Sequence, residues 1–264
     1  MSVGVISGSG TESWPGLERV ERRVHDSVYG QAELTLGSVD GANVVHVSRH
    51  GPGHQRVSSH VNHRANLAGL IDAGVNVVVS LTVCGSVRAD LPLGRVVVFD
   101  DLYFPFNRLP DGSLCTWHDT PGQPGRGHWI FDQPFDPALR GAMVESARRA
   151  GIEAVDGGCY GHVDGPRFNS RAEVRALAAA GVTALSQTAG PEVVLAGEAR
   201  LPLVLLGYLT DYANGISTTA EPVDALLARV KASTDTFAAV VNSSLAAIGQ
   251  LPFQAAGTFH GFAP

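Results

Sequence analysis

Six short apolar runs rich in Val, Ile and Leu recur at residues 3–6, 44–47, 75–80, 96–99, 182–185 and 203–209. Between several of them the apolar spacing switches to that of a helix. Residues 60–73 carry apolar side chains at 61, 65, 67 and 70, residues 137–150 run into Gly151, and residues 171–180 into Gly181, which marks three helices and their stops. Residues 193–199 open behind Pro191 and Glu192, which suit a first helical turn, and an amphipathic stretch covers 222–247. Strands read as continuous apolar runs when helices cover both faces of the sheet. The alternation predicts an α/β fold: a single domain with a mixed, mostly parallel twisted sheet flanked by helices. Residues 1–250 make that domain, and 251–264 are expected as a C-terminal tail packed loosely or on a neighbouring copy.

In such sheets ligands sit beyond the carboxyl ends of the strands, and four of the runs end in residues suited to an anion. Residues 7–10 (Ser-Gly-Ser-Gly) offer Ser9, with its hydroxyl and backbone N–H, between glycines free to take positive φ; the plain alternative is a Gly-rich turn. Arg49 and His50 precede Gly51, and the guanidinium is a planar fork suited to phosphate oxygens. The alternative there is a surface Arg beside solvated histidines. Thr82, Val83, Cys84, Gly85 and Ser86 follow the strongest apolar run, where Thr82 can donate and Gly85 lets a ligand near the backbone. Cys84 reads as a nucleophile or as a small buried filler, and its apolar setting without a paired base favours the filler. Ser186, Gln187 and Thr188 supply polar groups for sugar hydroxyls and phosphate.

Two further residues stand out. Phe168, in the turn after Asp164, can stack on a flat heterocycle or simply belong to the core. Asp211 ends the most apolar run of the chain; a carboxylate there is partly desolvated, its pKa rises, and it can serve as a proton donor. Otherwise it caps a helix or anchors a loop. The segment 103–133 is rich in Pro, Gly, Asp, His and aromatics and shows no period, which fits a lid, an interface or a mobile loop.

Composition limits the partners. With 19 basic and 25 acidic residues the net charge is −6, which argues against nucleic acid and leaves any anion to be held by local geometry. At 44% hydrophobic over 264 residues the chain can bury a large core. No apolar run reaches the ~18–20 residues of a membrane span. Met1 leads directly into the first strand-like run without a signal-peptide pattern. Three cysteines without CxxC spacing form neither a disulfide framework nor a zinc site. His50, His54, His60 and His63 lack carboxylates at ligand spacing, so no metal is expected. A soluble, cytoplasmic protein is the expectation.

Together these segments resemble the methylthioadenosine phosphorylase branch of the trimeric purine nucleoside phosphorylase family. The resemblance runs from Gly4 to about Leu245. It is carried by residues 4–10 (Gly-Val-Ile-Ser-Gly-Ser-Gly), 49–51 with His54, 61–66 (Val-Asn-His-Arg-Ala-Asn), 82–86, 164–173 (Asp-Gly-Pro-Arg-Phe-Asn-Ser-Arg-Ala-Glu) and 191–196 (Pro-Glu-Val-Val-Leu-Ala). It implies the nucleoside phosphorylase fold and phosphorolysis of a purine nucleoside, with inorganic phosphate as co-substrate and no metal or organic cofactor. It also implies a homotrimer or a dimer of trimers, with a neighbouring subunit completing part of the site. By resemblance Ser9, Arg49, His50, Thr82 and Thr188 are phosphate ligands, Phe168 stacks on the base and Asp211 addresses purine N7. Val83, Cys84, Gly85, Gln187 and Ala213 line the nucleoside, with His128 and Leu226 near the 5′ end of the sugar.

Three departures bear on the substrate. The adenine-specific pattern carries a second acid where this chain has Ala213, and Asn214 beside it can pair with either purine edge. Gln187 stands where a Met is usual, and Val83 is bulkier than the usual residue. Asp211, the retained first acid, can accept from an exocyclic amine, so the expected substrate is a 6-aminopurine nucleoside resembling 5′-methylthioadenosine, while the loss of the second acid drifts towards 6-oxopurines. The alternatives are a 6-oxopurine nucleoside such as inosine, guanosine or methylthioinosine, or a repurposed member: an enzyme of specialised metabolism or a binding protein without turnover.

Overall fold

A computed structural model describes residues 1–219 and 221–262. Its first half contains β1 (Ser2–Ser7), β2 (Glu18–Ser27), β3 (Gly30–Val39), β4 (Ala42–Ser48), α1 (His63–Asp72), β5 (Val77–Ser86), β6 (Val96–Val98), β7 (Asp101–Tyr103) and β8 (Gly127–Phe131). There follow α2 (Pro137–Arg149), β9 (Ala154–Asp156), β10 (Cys159–His162), α3 (Arg171–Ala179), β11 (Val182–Ser186), α4 (Ala189–Glu198), β12 (Leu203–Tyr212), α5 (Val223–Ile248) and β13 (Gly257–Gly261). Eleven strands form one mixed sheet along the path β2-β3-β4-β1-β5-β11-β10-β7, with β12, β6 and β9 continuing from β5. The pairings β4-β1-β5-β12 at its centre are parallel. The expected α/β sheet with helices on both faces is the one observed.

The period-2 alternation of a strand sends successive residues to opposite faces, and β5 shows it plainly. Val77, Val79 and Leu81 pack with Leu139 and Met143 of α2 and Phe237 and Val241 of α5. Val78 and Cys84 belong to the other core, with Leu67 and Leu70 of α1 and Val193 and Leu195 of α4. Ser80 lies on that second face, and its neighbours there decide the chemistry. Among the described residues no helix is long and apolar enough to cross a membrane.

The structure differs from the sequence expectation in four places. Residues 82–86 are not a loop: β5 runs on to Ser86, and β12 runs on through Asp211 to Tyr212. The antiparallel hairpin β2–β3 was missed because β2 is polar and almost wholly exposed, so it lacks an apolar run. Helix α4 begins at Ala189, ahead of 193. The expected loose tail contributes β13, which pairs antiparallel with β8 inside the irregular 103–133 segment. The last two tail positions, 263 and 264, lie outside the described residues.

Candidate active site

The centre of the site is a fork in the sheet. One edge of β5 is lined by β12 from Val78 to Ser86. The other edge is shared: β1 pairs with it up to Ser80, and β11 meets it from Gly85. Between those points residues 81–84 have no strand beside them, yet buried carbonyls need partners. Arg49, from the loop after β4, enters this gap. Its Nη1 donates to the Leu81 carbonyl at 3.0 Å and its Nη2 to Ser80 Oγ at 3.1 Å.

Arg49 is only 1% exposed, so it is not the surface residue of the plainer reading. A buried cation needs a counter-charge, and Glu192 in the first turn of α4, equally buried, supplies it. Nε and Nη2 of Arg49 donate to the two carboxylate oxygens at 2.6 and 2.8 Å. Ser80 Oγ donates to the same carboxylate at 2.6 Å, and His63 Nδ1 lies 3.5 Å from it. Burial alone would raise the Glu192 carboxyl; the Arg49 charge and these hydrogen bonds outweigh it and hold the carboxyl at about 2. Four of the five guanidinium N–H groups are thus spent. The fifth, on Nη1, is left at the Gly8 turn, where a Cβ would come within 2.8 Å of Nη1.

The other anion candidates gather round the fork. Ser9 follows Gly8 in the turn after β1, with Gly10 at positive φ against the Val230 carbonyl of α5. His50 is buried, and its Nδ1 must donate to the Arg56 carbonyl, 2.7 Å away, because a carbonyl only accepts. Burial, with the Arg49 charge second, lowers His50 to about 4. The ring is therefore neutral near pH 7, with its lone pair on Nε2, and it stacks on His54 with ring centroids 4.1 Å apart. Thr82 shares a 2.8 Å hydrogen bond with Ser186 Oγ, bridging the fork from β5 to β11. Thr188 is the N-cap of α4, and its side chain makes no capping bond. The helix N–H groups themselves are taken: Ala189 N donates to Tyr160 Oη and Gly190 N to His162 Nδ1, while Pro191 has none. An anion at this helix start is met by side chains, not by the free N–H groups such a terminus usually offers.

The acid sits on the far edge of the same strand. Between Leu209, opposite Cys84, and Asp211, opposite Gly85, the β5–β12 register slips by the single residue Thr210. Such a bulge re-aims the side chain beside it. Gly85 leaves room: a Cβ there would stand 3.3 Å from Asp211 Oδ2 and 3.7 Å from Ala213. Burial raises the Asp211 pKa, while the Thr210 hydroxyl, donating to Oδ1 at 2.7 Å, opposes the rise. Cys84 beneath is fully buried, and burial pushes its thiol up, with Asp211 adding to the effect. It is a filler at this place, without thiolate character.

The nucleoside candidates divide. Ala213 is buried behind Gly85, and Val83 is half-buried. Leu226 is half-buried one turn before Arg229 of α5, whose Nη1 donates to the Thr210 carbonyl, so this end of α5 adjoins the acid. Phe168 is 70% exposed. Gln187 spends its carboxamide on protein: Ser58 Oγ donates to Oε1, and Nε2 donates to the Arg167 carbonyl, both at 2.9 Å. Asn214 likewise donates to the Asn169 carbonyl at 2.7 Å. His128 stands apart on β8, where it lines a cavity of about 570 Å³ with Asp101, Phe104, Trp129 and Glu198 and with none of the phosphate candidates.

Sequence reasoning missed Glu192 and His63 as parts of this centre. From sequence Glu192 reads as a helix-start acid and as part of the 191–196 segment that carries the resemblance, not as the partner of Arg49. The available signal was its place in residues 189–197, where every other residue is apolar or Gly; such an acid is buried only with a partner.

A family model described as the Phosphorylase superfamily matches residues 2–246. The chain is 31% identical over 216 residues to a probable 6-oxopurine nucleoside phosphorylase of Thermococcus kodakarensis, covering 81% of this chain and 80% of that one. It is 33% identical over 214 residues to an S-methyl-5′-thioadenosine phosphorylase of Thermofilum pendens, covering 80% and 79%. Among solved structures, methylthioadenosine phosphorylase from Schistosoma mansoni in complex with adenine superposes with a TM-score of 0.86 at 27% identity, covering 95% of this chain and 92% of the other.

Proposed function

The chain belongs to the phosphorylase superfamily, and from that premise we propose that it cleaves a purine nucleoside with phosphate, releasing the base and a sugar 1-phosphate. One observation carries the reading: the fork gathers anion donors on one side of residues 81–85 and a partly buried acid on the other. The bond from C1′ to purine N9 breaks with its electron pair going to the ring, while a phosphate oxygen bonds to C1′. Protonated Asp211 passes its proton to N7, so the negative charge developing on the base is neutralised as it forms. Ser9, Thr82, Thr188 and the spare Nη1–H of Arg49 hold the phosphate beneath the sugar. Because Glu192 already offsets the Arg49 charge, these neutral donors carry much of the anion. Neutral His50 offers Nε2 as the acceptor for the hydroxyl of monohydrogen phosphate, which loses its proton over the cycle. Phosphate is the co-substrate, and the step calls on neither a metal nor an organic cofactor.

The preferred nucleoside is a 6-aminopurine with a small apolar 5′ substituent, since the Asp211 carboxyl can also accept from an exocyclic amine. A 6-oxopurine nucleoside is the second reading, favoured by buried Ala213 in place of a second acid. Phosphate-dependent release of base from adenosine, inosine, methylthioadenosine and methylthioinosine tests both. Release without phosphate would identify a hydrolase, and no release from any of the four would remove the phosphorylase reading.

The working unit is a trimer or a dimer of trimers. His128, remote from the phosphate loops of its own chain, serves the 5′ end of a neighbour's site, and exposed Phe106, Ile130 and Phe131 give its surroundings an apolar surface. Light scattering that finds a monomer at assay concentrations would overturn this assignment.

A further inference from the structure

Phe168 is exposed and packs on little of its own chain, so its position is set through its backbone. The carbonyl before it, on Arg167, accepts from Gln187 Nε2 at 2.9 Å, and the carbonyl after it, on Asn169, accepts from Asn214 Nδ2 at 2.7 Å. Gln187 lies between Ser186 at the end of β11 and Thr188 at the start of α4, beside the phosphate donors. Asn214 lies three residues beyond Asp211. Each carboxamide thus ties the aromatic turn to one half of the catalytic centre. The Gln187 end is further braced, because Ser58 Oγ fixes Oε1, and a Cβ on Gly165 would collide with both Oε1 and Ser58 Oγ. An amide can accept from Ser58 and donate to Arg167 with one planar group; Met, the residue the resemblance leads one to expect at 187, has no donor and only a weak acceptor.

We propose that Gln187 and Asn214 are positioning residues that clamp the Phe168 platform to the phosphate loop and to the acid turn, so that base stacking is fixed in register with both. The proposal rests on the reading that Phe168 stacks on the purine. Gln187 acts through Phe168 and not by direct contact with the sugar, and Asn214 acts through the same residue and not as a reader of the purine edge. Gln187, one of the departures that bear on the substrate, and Asn214, beside another, thereby gain a common task.

Steady-state constants for nucleoside and phosphate are to be measured for Phe168→Ala, Gln187→Met, Gln187→Glu, Asn214→Ala and the double variants that add Phe168→Ala. Phe168→Ala should raise the nucleoside KM about 5- to 100-fold, the range of one base–aromatic stack. Gln187→Met and Asn214→Ala should each raise it about fivefold, as expected for one hydrogen bond, with the phosphate KM within about twofold of the parent. Gln187→Glu keeps the acceptor for Ser58 but loses the donor to Arg167 and sets a carboxylate against that carbonyl, so its nucleoside KM should rise at least as far as in Gln187→Met; its phosphate KM is not a readout, because the new charge lies beside the phosphate donors. It also serves if the Met variant folds poorly. In the Phe168→Ala background the clamp substitutions should add nothing. A clamp effect that persists there, or a phosphate KM that rises in step, overturns the clamp while leaving the stacking intact. An unchanged nucleoside KM in Phe168→Ala overturns the stacking reading and the proposal with it.

Discussion

Replacing Glu192 by Gln removes the counter-charge from a guanidinium that is 1% exposed. The amide keeps the shape but turns at least one donor toward Arg49, whose Nε and Nη2 are themselves donors. Breaking a buried pair by removing one partner costs about 3–5 kcal/mol. The carboxyl agrees in direction: the Arg49 charge and the hydrogen bonds hold it below its ordinary value despite burial, so the ionised form stabilises the fold at neutral pH. For a chain of this length about 3–5 kcal/mol is a drop in Tm of about 6–20 °C. The sign with pH also follows. The folded pKa is lowered, so the contribution is fully present above the unfolded value of 4.5 and is lost as pH falls through about 2. Stabilities of parent and variant should therefore converge in strong acid. Because the spare Nη1–H lies at the Gly8 turn, phosphate should restore more stability to Glu192→Gln than to the parent. Calorimetry with and without phosphate, over a pH series, measures all three effects. A Tm loss near zero at pH 7, or a gap that widens in acid, would refute the ion-pair reasoning.

Asp211→Asn should lower kcat by about 10²–10⁴-fold, the usual worth of a positioned acid, with the phosphate KM little changed; full activity would remove Asp211 from the mechanism. Burial raises the Asp211 pKa, and the proposed proton transfer needs the protonated form, so kcat should fall as pH climbs through that raised value. A profile that rises over the same range contradicts the assignment. Cys84 is buried with its thiol pushed up, so iodoacetamide at mildly alkaline pH should leave activity intact, and inactivation traced to Cys84 would show it to be open and reactive.

The central strands were legible because their apolar runs are long and β-branched: β1, β4, β5 and β12 all begin within two residues of the expected positions. The strand β2 was not, since a polar edge strand carries no burial pattern, and β13 was hidden because its pairing with β8 joins segments far apart in the chain. At the site, residue types could nominate Arg49, Asp211 and Thr188. They could not reveal that Arg49 is mostly occupied by Glu192, or that Gln187 and Asn214 spend their amides on backbone carbonyls. Those are facts of distance across more than a hundred residues for Arg49 and Glu192, and of loops folding against each other for the two amides. Periodicity carries neither.

An open seam in the middle of a sheet would ordinarily invite water, slippage or a foreign strand. Here the seam between Ser80 and Gly85 is closed by a guanidinium, braced from behind by Glu192, together with the Thr82–Ser186 hydrogen bond. A charged side chain has taken the place of a missing strand. Its hydrogen bonds are all to groups of the protein itself: Glu192, Ser80 and the Leu81 carbonyl. Removing the brace at 192 should accordingly loosen the seam at the Leu81 carbonyl, the group that the guanidinium satisfies.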